Sequence, residues 1–465
     1  MLAKAGGFFA VRFRRWLPDS FVFAILLTFA TAIMAILFVN ADPLSVVQSW
    51  YKGFWLLLEF GMQMVLILVT GYAIAISPPA SRFIDRLSAR IKKPAMVYAV
   101  VCITGGIFSI ISWGWIVLTA VLARELAIRV RGVDYRLLAA SVYASILPWH
   151  GGLSGTIPLV LNTPDNFLIK AGTLPSTIPT SVTIGSVMNM GCSLALLVTL
   201  PLLFVLMRPK GKAVVEFKDL RDTNHHVQGR SVSEEAASLR LNGKNLSDTL
   251  NHSVIIQIII PLMGISFLSW HFYKRGFDIN LNIMNFLFIM AGMICHRTPA
   301  NYAVAMKRSC ANISGIILQF PFYAGIMGMM TYTGLGKEMA LWIAGTASVD
   351  SLPFVSFLIS GLLNIFIPSG GGEWAVVGPT IVDAANTLGS GLPAAQLTAF
   401  IAKVSMSVAY GDAWTNMIQP FWTLTFFPIV AAGVRMQARD IMGYTFVALI
   451  WSFVIFSTCI LFLPV

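Results

Sequence analysis

The sequence predicts an all-α polytopic membrane protein built from two inverted-topology repeats, each with a re-entrant helical hairpin and a broken transmembrane helix. Composition is the first reason. Hydrophobic residues make up 57% of the 465 and charged residues 11%, against roughly 25% charged in an average soluble domain. Several apolar runs also reach the roughly 20 residues that cross a hydrocarbon core. The second reason is a doubled interruption. Ser112-Trp113-Gly114-Trp115 breaks the apolar run 95–123, and the stretch from Pro148 to Pro158 breaks 137–161. In the second half, the stretch from Pro368 to Trp374 breaks 353–388, and that from Gly411 to Pro420 breaks 396–432. Trp115 and Pro158 lie 43 positions apart, Trp374 and Pro420 lie 46 apart. The third reason is the placement of positive charge.

As one plain span, 95–123 would put two strongly basic loops on opposite sides of the membrane. Arg82, Arg86, Arg90, Lys92 and Lys93 precede it; Arg124, Arg129, Arg131 and Arg136 follow. That violates the positive-inside tendency. The conflict disappears if the run enters, turns at Ser112-Trp113-Gly114 and returns as a hairpin, its irregular backbone covered by protein or lining a cavity. Spans near 20–39 and 53–76 then lead to this hairpin, which opens to the cytoplasm. Broken span 137–161 crosses outward and 179–207 returns, completing a first repeat over 1–207. A polar cytoplasmic loop follows at 208–252, then a linking helix at 253–271. The second repeat, 279–465, has spans at 281–295 and 309–330, a hairpin 353–388 open to the outside, broken span 396–432 and closing span 441–463. This threading puts 26 of the 32 Lys and Arg residues in the cytoplasm, 5 outside and Lys403 within the membrane. The N-terminus is then cytoplasmic and the C-terminus external. A short echo, Leu58-Glu59-Phe60 against Leu318-Gln319-Phe320, agrees with the repeat.

The net charge of +12 fits basic loops facing anionic lipid rather than nucleic acid. The five cysteines stand singly, without metal-ligand spacing, and read as packing. Arg12, Arg14 and Arg15 precede a first apolar helix with no small-residue cleavage site, which reads as a retained span. Loop 208–252 mixes eight basic with six acidic residues and reads as a solvated linker; it holds His225 and His226. Gly370-Gly371-Gly372 lacks the lysine of a phosphate loop and follows no strand, so nucleotide binding is not expected.

Paired broken segments at matching places in two halves point to a secondary transporter's binding site. A helix interrupted at mid-membrane bares amides at the start of its second part and carbonyls at the end of its first. Bare amides favour an anion such as a carboxylate. Candidate substrate contacts are therefore Ser112, Trp113, Gly114, Gly152, Ser154, Gly155, Thr156, Ser369, Gly370, Gly371, Gly372, Glu373, Thr415 and Asn416. Carbonyls with hydroxyl and amide oxygens suit Na⁺, for which Ser154, Asp412 and Asn416 are the candidate ligands; no other cofactor is expected. Ionisable residues at mid-depth cost about 2.5–3.5 kcal/mol each. Asp412 is a coupling-ion or proton site, or caps the following half-helix. Glu373 is protonated when substrate binds, or caps the hairpin helix. His150 relays protons or bonds a carboxylate, or is a packed histidine. Lys403 snorkels, pairs with an acid such as Asp383, or meets substrate. Glu59 has no assigned role. Trp113, Trp115, Trp149, Trp374 and Trp414 flank the breaks, as pocket walls or as packing.

The segments Gln319-Phe320-Pro321-Phe322-Tyr323-Ala324-Gly325-Ile326, Pro368-Ser369-Gly370-Gly371-Gly372 and Ala409-Tyr410-Gly411-Asp412 through Gln419-Pro420-Phe421-Trp422 resemble the short-chain fatty acid transporter family (AtoE type). Gly61-Met62-Gln63-Met64 and Arg439-Asp440-Ile441-Met442-Gly443-Tyr444 do so too. More distantly, Gly411-Asp412 with Thr415-Asn416 is similar to a pattern in the aminobenzoyl-glutamate transporters of the ion transporter superfamily. The resemblance implies uptake of short-chain fatty acids such as butyrate or acetoacetate across a bacterial inner membrane. It also implies inverted repeats, elevator-like motion and a homodimer. The expectation is a secondary carrier of small monocarboxylates coupled to H⁺ or Na⁺, not an enzyme. The alternative is an exporter or exchanger of aromatic or dicarboxylic acids, for which Lys403 and His150 are the available cations.

Overall fold

A computed structural model describes residues 20–209, 214–221, 231–240, 245–276, 278–310, 313–365, 367, 369–418, 423–431, 434–437 and 439–465. The basic 12–15 stretch, His225, His226, Pro368 and residues 419–422 lie outside the described residues. The first half comprises α1 (Ser20–Val39), α2 (Pro43–Phe54), α3 (Leu58–Ala75), α4 (Pro78–Ser88), α5 (Pro94–Ile111), α6 (Ile116–Arg129), α7 (Tyr135–Ala144), α8 (Thr156–Leu161), α9 (Phe167–Lys170) and α10 (Val187–Met207). Three short helices follow: α11 (Phe217–Leu220), α12 (Val232–Ser238) and α13 (Leu246–Asn251). The rest is α14 (Val254–Arg275), α15 (Leu281–His296), α16 (Pro299–Ser309), α17 (Ser314–Tyr332), α18 (Leu335–Thr346), α19 (Leu352–Asn364), α20 (Gly370–Leu388), α21 (Ala394–Thr415), α22 (Thr423–Val430) and α23 (Arg439–Phe462).

The interruptions fall within the expected stretches but are shorter: Gly370–Trp374 already belong to α20, and Gly411–Thr415 still belong to α21. Between α5 and α6 the chain turns through a 3-10 segment, Trp113–Trp115. A second 3-10 segment, Leu147–Gly151, separates α7 from α8, and a third, Asn416–Ile418, follows α21. Among the described residues, five helices are long and apolar enough to cross a membrane: Leu58–Ala75, Pro94–Ile111, Val187–Met207, Val254–Arg275 and Asp440–Phe462. On α10, Met190, Leu194, Val198 and Leu202 are exposed at four-residue spacing, as are Ile255, Ile259 and Met263 on α14. Such an unpaired apolar stripe suits lipid rather than water.

Four short helices, α2, α4, α16 and α18, were not foreseen as separate elements. Their starts carry local signals. Asp42 accepts from the amides of Leu44 and Ser45 with Pro43 opening α2, and Thr298 accepts from Asn301 N–H with Pro299 opening α16. The order span, short helix, span, short helix, hairpin, broken span, closing span thus occurs twice. Packing is exchanged between the halves. α1 lies against α17, and α15 against α3; α22 lies against α6, and α8 against α20. Phe60 and Phe320, the ends of the sequence echo, meet with ring centroids 5.6 Å apart.

Loop 208–252 is more than a solvated linker. The Val215 amide donates to Asp134 Oδ2 at 3.0 Å, and its carbonyl accepts from Tyr135 N–H at 2.8 Å. Glu216 accepts from Gly132 N–H at 2.7 Å, and that amide, then the Lys218 ammonium, hold its carboxyl below the usual range. Further on, Arg308 of α16 pairs with Glu235 of α12. The loop is therefore pinned at one end to α6 and α7 and at the other to α16. Charge composition marks it as polar but does not show which charges find partners.

Candidate functional site

Each hairpin tip rests on the second span of its own half. In the first, Ser112 faces α3, where a Cβ on Gly71 would come 2.6 Å from Ser112 Oγ, and Trp115 Nε1 donates to the Gly71 carbonyl at 3.1 Å. Gly114 lies against Tyr72 and Leu68. In the second, a Cβ on Gly372 would come 2.6 Å from the Tyr323 ring, and Gly371 is walled by Phe60, Phe320 and Thr156. Ser369 accepts from the Gly372 amide and caps α20.

The first hairpin joins the first break through backbone. Leu153 N–H donates to Ile110 O at 2.6 Å, and Trp113 N–H donates to Ser154 Oγ at 2.9 Å. Gly152 sits so close to the Ile110 backbone that a Cβ there would collide with it, and one on Gly155 would collide with His150 O. Trp149 stacks on its neighbour His150 at 4.2 Å, with Trp113 edge-on to Trp149 at 6.3 Å.

The second hairpin tip closes over the first break and the second at once. His150 Nδ1 lies 3.1 Å from Asp412 Oδ2, each side chain 1% exposed. Ile157 N–H donates to His150 Nε2 at 3.4 Å. An acceptor role for Nε2 puts the ring proton on Nδ1, so the imidazole donates to Asp412. Directly above the pair stands Gly370, whose Cβ would lie 2.6 Å from His150 Cε1 and 3.3 Å from Asp412 Oδ2. Glu373 is buried one turn along α20, within electrostatic reach of Asp412. Asp412 Oδ1 and both Glu373 oxygens have no hydrogen-bond partner. Neither acid therefore acts as a helix cap: Ser369 caps α20, and Asp412 is turned to His150.

The acceptors around the second break are held by protein. Asn364 Nδ2 lies 2.7 Å from Asp412 O, 3.0 Å from Thr415 Oγ1 and 2.8 Å from Asn416 Oδ1. Its two N–H groups are thus shared among three acceptors. Tyr143, from the other half, donates to Asn416 O at 2.6 Å. The oxygens considered for Na⁺ are accordingly distributed: Ser154 bonds to Trp113, Asn416 to Asn364, Asp412 to His150. Among the described residues no group of three or more His, Cys, Asp or Glu side chains could hold a metal ion.

The structure thus brings Gly370, Gly371, Glu373, His150, Thr156 and Asp412 together and binds Thr415 and Asn416 beside them. Ser112 and Gly114 are turned to α3 instead. Helix α8 is only six residues, too short to gather a macrodipole, so the helix starts at the site are unequal. The long α20, 19 residues from Gly370, has the strongest. Glu59 pairs with exposed Lys170 at 2.8 Å. Lys403 and Asp383 form no ion pair with each other; Lys403 feels the charge of Asp350, and Asp383 that of Lys337. Sequence reasoning missed Asn364, Asn189, Tyr143 and Tyr410. Ser356, Ser360 and Asn364, at four-residue spacing in an apolar helix, were the legible signal for part of that set.

The family model described as "Short chain fatty acid transporter" matches residues 1–463. A protein of Escherichia coli (strain K12) named "Putative short-chain fatty acid transporter" is 38% identical over 459 residues, 98% of each chain. One of the same name from Haemophilus influenzae is 35% identical over 468 residues, covering all of both. The crystal structure of the Alcanivorax borkumensis YdaH transporter shares the fold, with a TM-score of 0.52 at 15% identity over 96% of this chain and 99% of that one. These relatives are transporters rather than enzymes, and the chain is a membrane protein that belongs to the short-chain fatty acid transporter family.

Proposed function

We propose that this protein moves small monocarboxylates, such as butyrate or acetoacetate, across a bacterial inner membrane by alternating access, driven by H⁺ or Na⁺. One observation carries the reading: the start of α20 closes over the buried His150–Asp412 pair. Carboxylate binding there uses the bare amides and helix dipole at Gly370 and Gly371. The apolar tail lies against Phe60, Phe320 and Tyr323, which wall that tip. Trp149 backs the histidine. With His150 hydrogen-bonded to Asp412, the cation nearest the site is not left for a second carboxylate, which favours monocarboxylates over dicarboxylates.

The exchanged packing of the two halves and the Phe60–Phe320 contact support inverted repeats, with the N-terminus cytoplasmic, the C-terminus periplasmic and 208–252 a cytoplasmic loop. On this reading the hairpins and broken spans move against α1, α3, α15 and α17, and two copies form a dimer. Release requires the α20 tip to part from His150 on one side or the first hairpin to part from Ser154 on the other. Counterflow tests it: proteoliposomes loaded with unlabelled butyrate should transiently accumulate labelled butyrate well above protein-free liposomes. The empty vesicles matter because a short fatty acid crosses bilayers in its neutral form. Equal traces in the two preparations would end the reading.

A further inference from the structure

Resting on this carboxylate-transport reading, we infer that Glu373 carries the coupling proton, which reaches it along the buried hydroxyls of Ser356, Ser405 and Ser360. The site's geometry separates a proton from a metal cation. Glu373 is 1% exposed, and neither carboxyl oxygen receives a hydrogen bond. Ser360 is its polar neighbour, but the single Ser360 proton lies on Val408 O, 2.6 Å away. With its proton on Val408 O, Ser360 turns lone pairs to Glu373, which a protonated carboxyl can use; rotated toward Glu373, the same hydroxyl delivers the proton. A buried carboxylate without donors or a cation neutralises itself by taking up H⁺. Na⁺ would need several oxygens converging on one point; the Ser154, Thr415 and Asn416 oxygens are bound to Trp113 and Asn364, and the unpartnered ones belong to two facing acids, Asp412 and Glu373, whose mutual repulsion one proton relieves.

The surroundings of Glu373 supply no positive charge to replace the proton. From α21 it faces Asp412, and further back Lys403, which is drawn to Asp350. The 3-10 turn of the first break presents His150, already hydrogen-bonded to Asp412. From α17 comes Tyr323, which donates to Gln319 Oε1 at 3.0 Å. Helix α19 contributes Ser356, Ser360 and Asn364, and α8 contributes Thr156. Of the charges on α18, Lys337 is directed at Asp383, and Glu338 is acidic.

The path follows from register. Ser360 bonds to Val408 O and Asn364 to Asp412 O, so α19 and α21 run side by side in the same direction. One turn back, Ser356 falls opposite Val404 and beside Ser405. Both hydroxyls are buried at 0% exposure and without partners, although a helical serine can ordinarily bond to its own preceding turn. The levels are about 6 Å apart, a gap that one water bridges. Each hydroxyl passes its proton forward and receives another behind it, so only H⁺ moves.

Neutralising Glu373 removes a negative charge from the place where a carboxylate lands. Proton and substrate therefore help each other bind, and by linkage substrate binding must draw in a proton. In unbuffered detergent solution with a pH-sensitive dye, at a pH high enough that Glu373 is ionised in the free protein, butyrate added at matched pH should draw about one proton per bound molecule into the wild type. Butyrate affinity should weaken about tenfold per pH unit once Glu373 is ionised in the free protein. Glu373→Gln should take up no proton. Ser356→Ala with Ser405→Ala should keep the stoichiometry and slow proton-driven accumulation several-fold. Proton release, no uptake, or equal uptake by Glu373→Gln overturns the inference. If Glu373→Gln does not fold, wild-type protein with ¹³C-glutamate decides it. Butyrate binding should then produce an isotope-shifted protonated-carboxyl infrared band, and an unshifted band or none refutes the assignment. Counterflow without proton uptake sinks this inference alone, whereas absence of butyrate binding and counterflow sinks it together with the transport reading.

Discussion

The two breaks face the same difficulty, backbone groups freed inside a membrane, and each is pinned by one buried asparagine from a different kind of element. At the first break, Asn189 from the closing span α10 donates to Gly151 O at 2.8 Å and Ile184 O at 2.7 Å. At the second, Asn364 comes from the first arm of the neighbouring hairpin and binds Asp412 O, Thr415 Oγ1 and Asn416 Oδ1. The second break is therefore tied to its own hairpin and the first to the closing span. Chemistry follows the same division: the first break supplies a neutral donor, His150, and the second an acid, Asp412.

The largest expected effect tests that division. Asp412→Asn keeps a partner for the His150 donor but removes the charge. Loss of a hydrogen bond to a charged group is worth about 1.5–3 kcal/mol, so ion-driven uptake in proteoliposomes should fall about 100-fold. His150→Gln keeps a donor toward Asp412 and should cost about tenfold. The reverse ranking would move the coupling chemistry to the first break.

Removing the pins comes next. Asn364→Leu leaves buried acceptors at Thr415 and Asn416 without their donor, a loss of about 3 kcal/mol in stability. Asn189→Leu should destabilise by a similar amount, because Gly151 O and Ile184 O lose theirs. The two should differ in transport. At temperatures where both variants are folded, counterflow by Asn364→Leu should drop well below that by Asn189→Leu, because the former loosens the bond between hairpin and acid. Equal counterflow would show that the source of the pin is immaterial.

Glycines sharpen the contrast further. A Cβ at Gly152 meets the Ile110 backbone, which cannot step aside, whereas one at Gly370 meets the end of the His150 ring and Asp412 Oδ2. Gly152→Ala should therefore lower thermal stability by about 2–3 kcal/mol. Gly370→Ala should lower it by about 1 kcal/mol while reducing substrate affinity more. Matching melting losses would mean that the first tip is as adaptable as the second.

Hydrophobic length and central interruptions pointed to the stretches in which the 3-10 segments Trp113–Trp115, Leu147–Gly151 and Asn416–Ile418 occur, because these are one-dimensional signals. The partners of the breaks were not legible, because they are made by residues distant in sequence. His150 and Asp412 were each visible as expensive mid-membrane polar groups, yet nothing in the chain order says that positions 262 apart are hydrogen-bonded. Ser112 and Gly114 read as site residues because they sit at a tip, but which way a tip faces depends on the helix beneath it. The short helices α2 and α16 carried caps and prolines that could have been read. Glu59 was legible only as a charge; its partner Lys170 ends α9, beyond the first break.

The smallest effect concerns the two tyrosines that cross between the breaks. Tyr143, in the last turn of α7, donates to Asn416 O beyond α21, and Tyr410, near the end of α21, donates to Asn189 Oδ1 at 3.0 Å. Each is stacked on a phenylalanine, Tyr143 on Phe426 at 5.5 Å and Tyr410 on Phe456 at 5.0 Å. Each broken span thus lends a hydroxyl to the polar frame of the other, as two related halves packed face to face would do. Tyr143→Phe and Tyr410→Phe keep the stacked ring and remove one neutral hydrogen bond, so each should cost about 1 kcal/mol. The hydroxyls share no partner, so if the breaks are braced independently the double variant should equal the sum within about 0.5 kcal/mol. A larger loss, read from thermal unfolding of the three purified variants, would show instead that the two breaks form one cooperative unit. In that case the contrast between an Asn189-pinned and an Asn364-pinned break would hold for chemistry but not for stability.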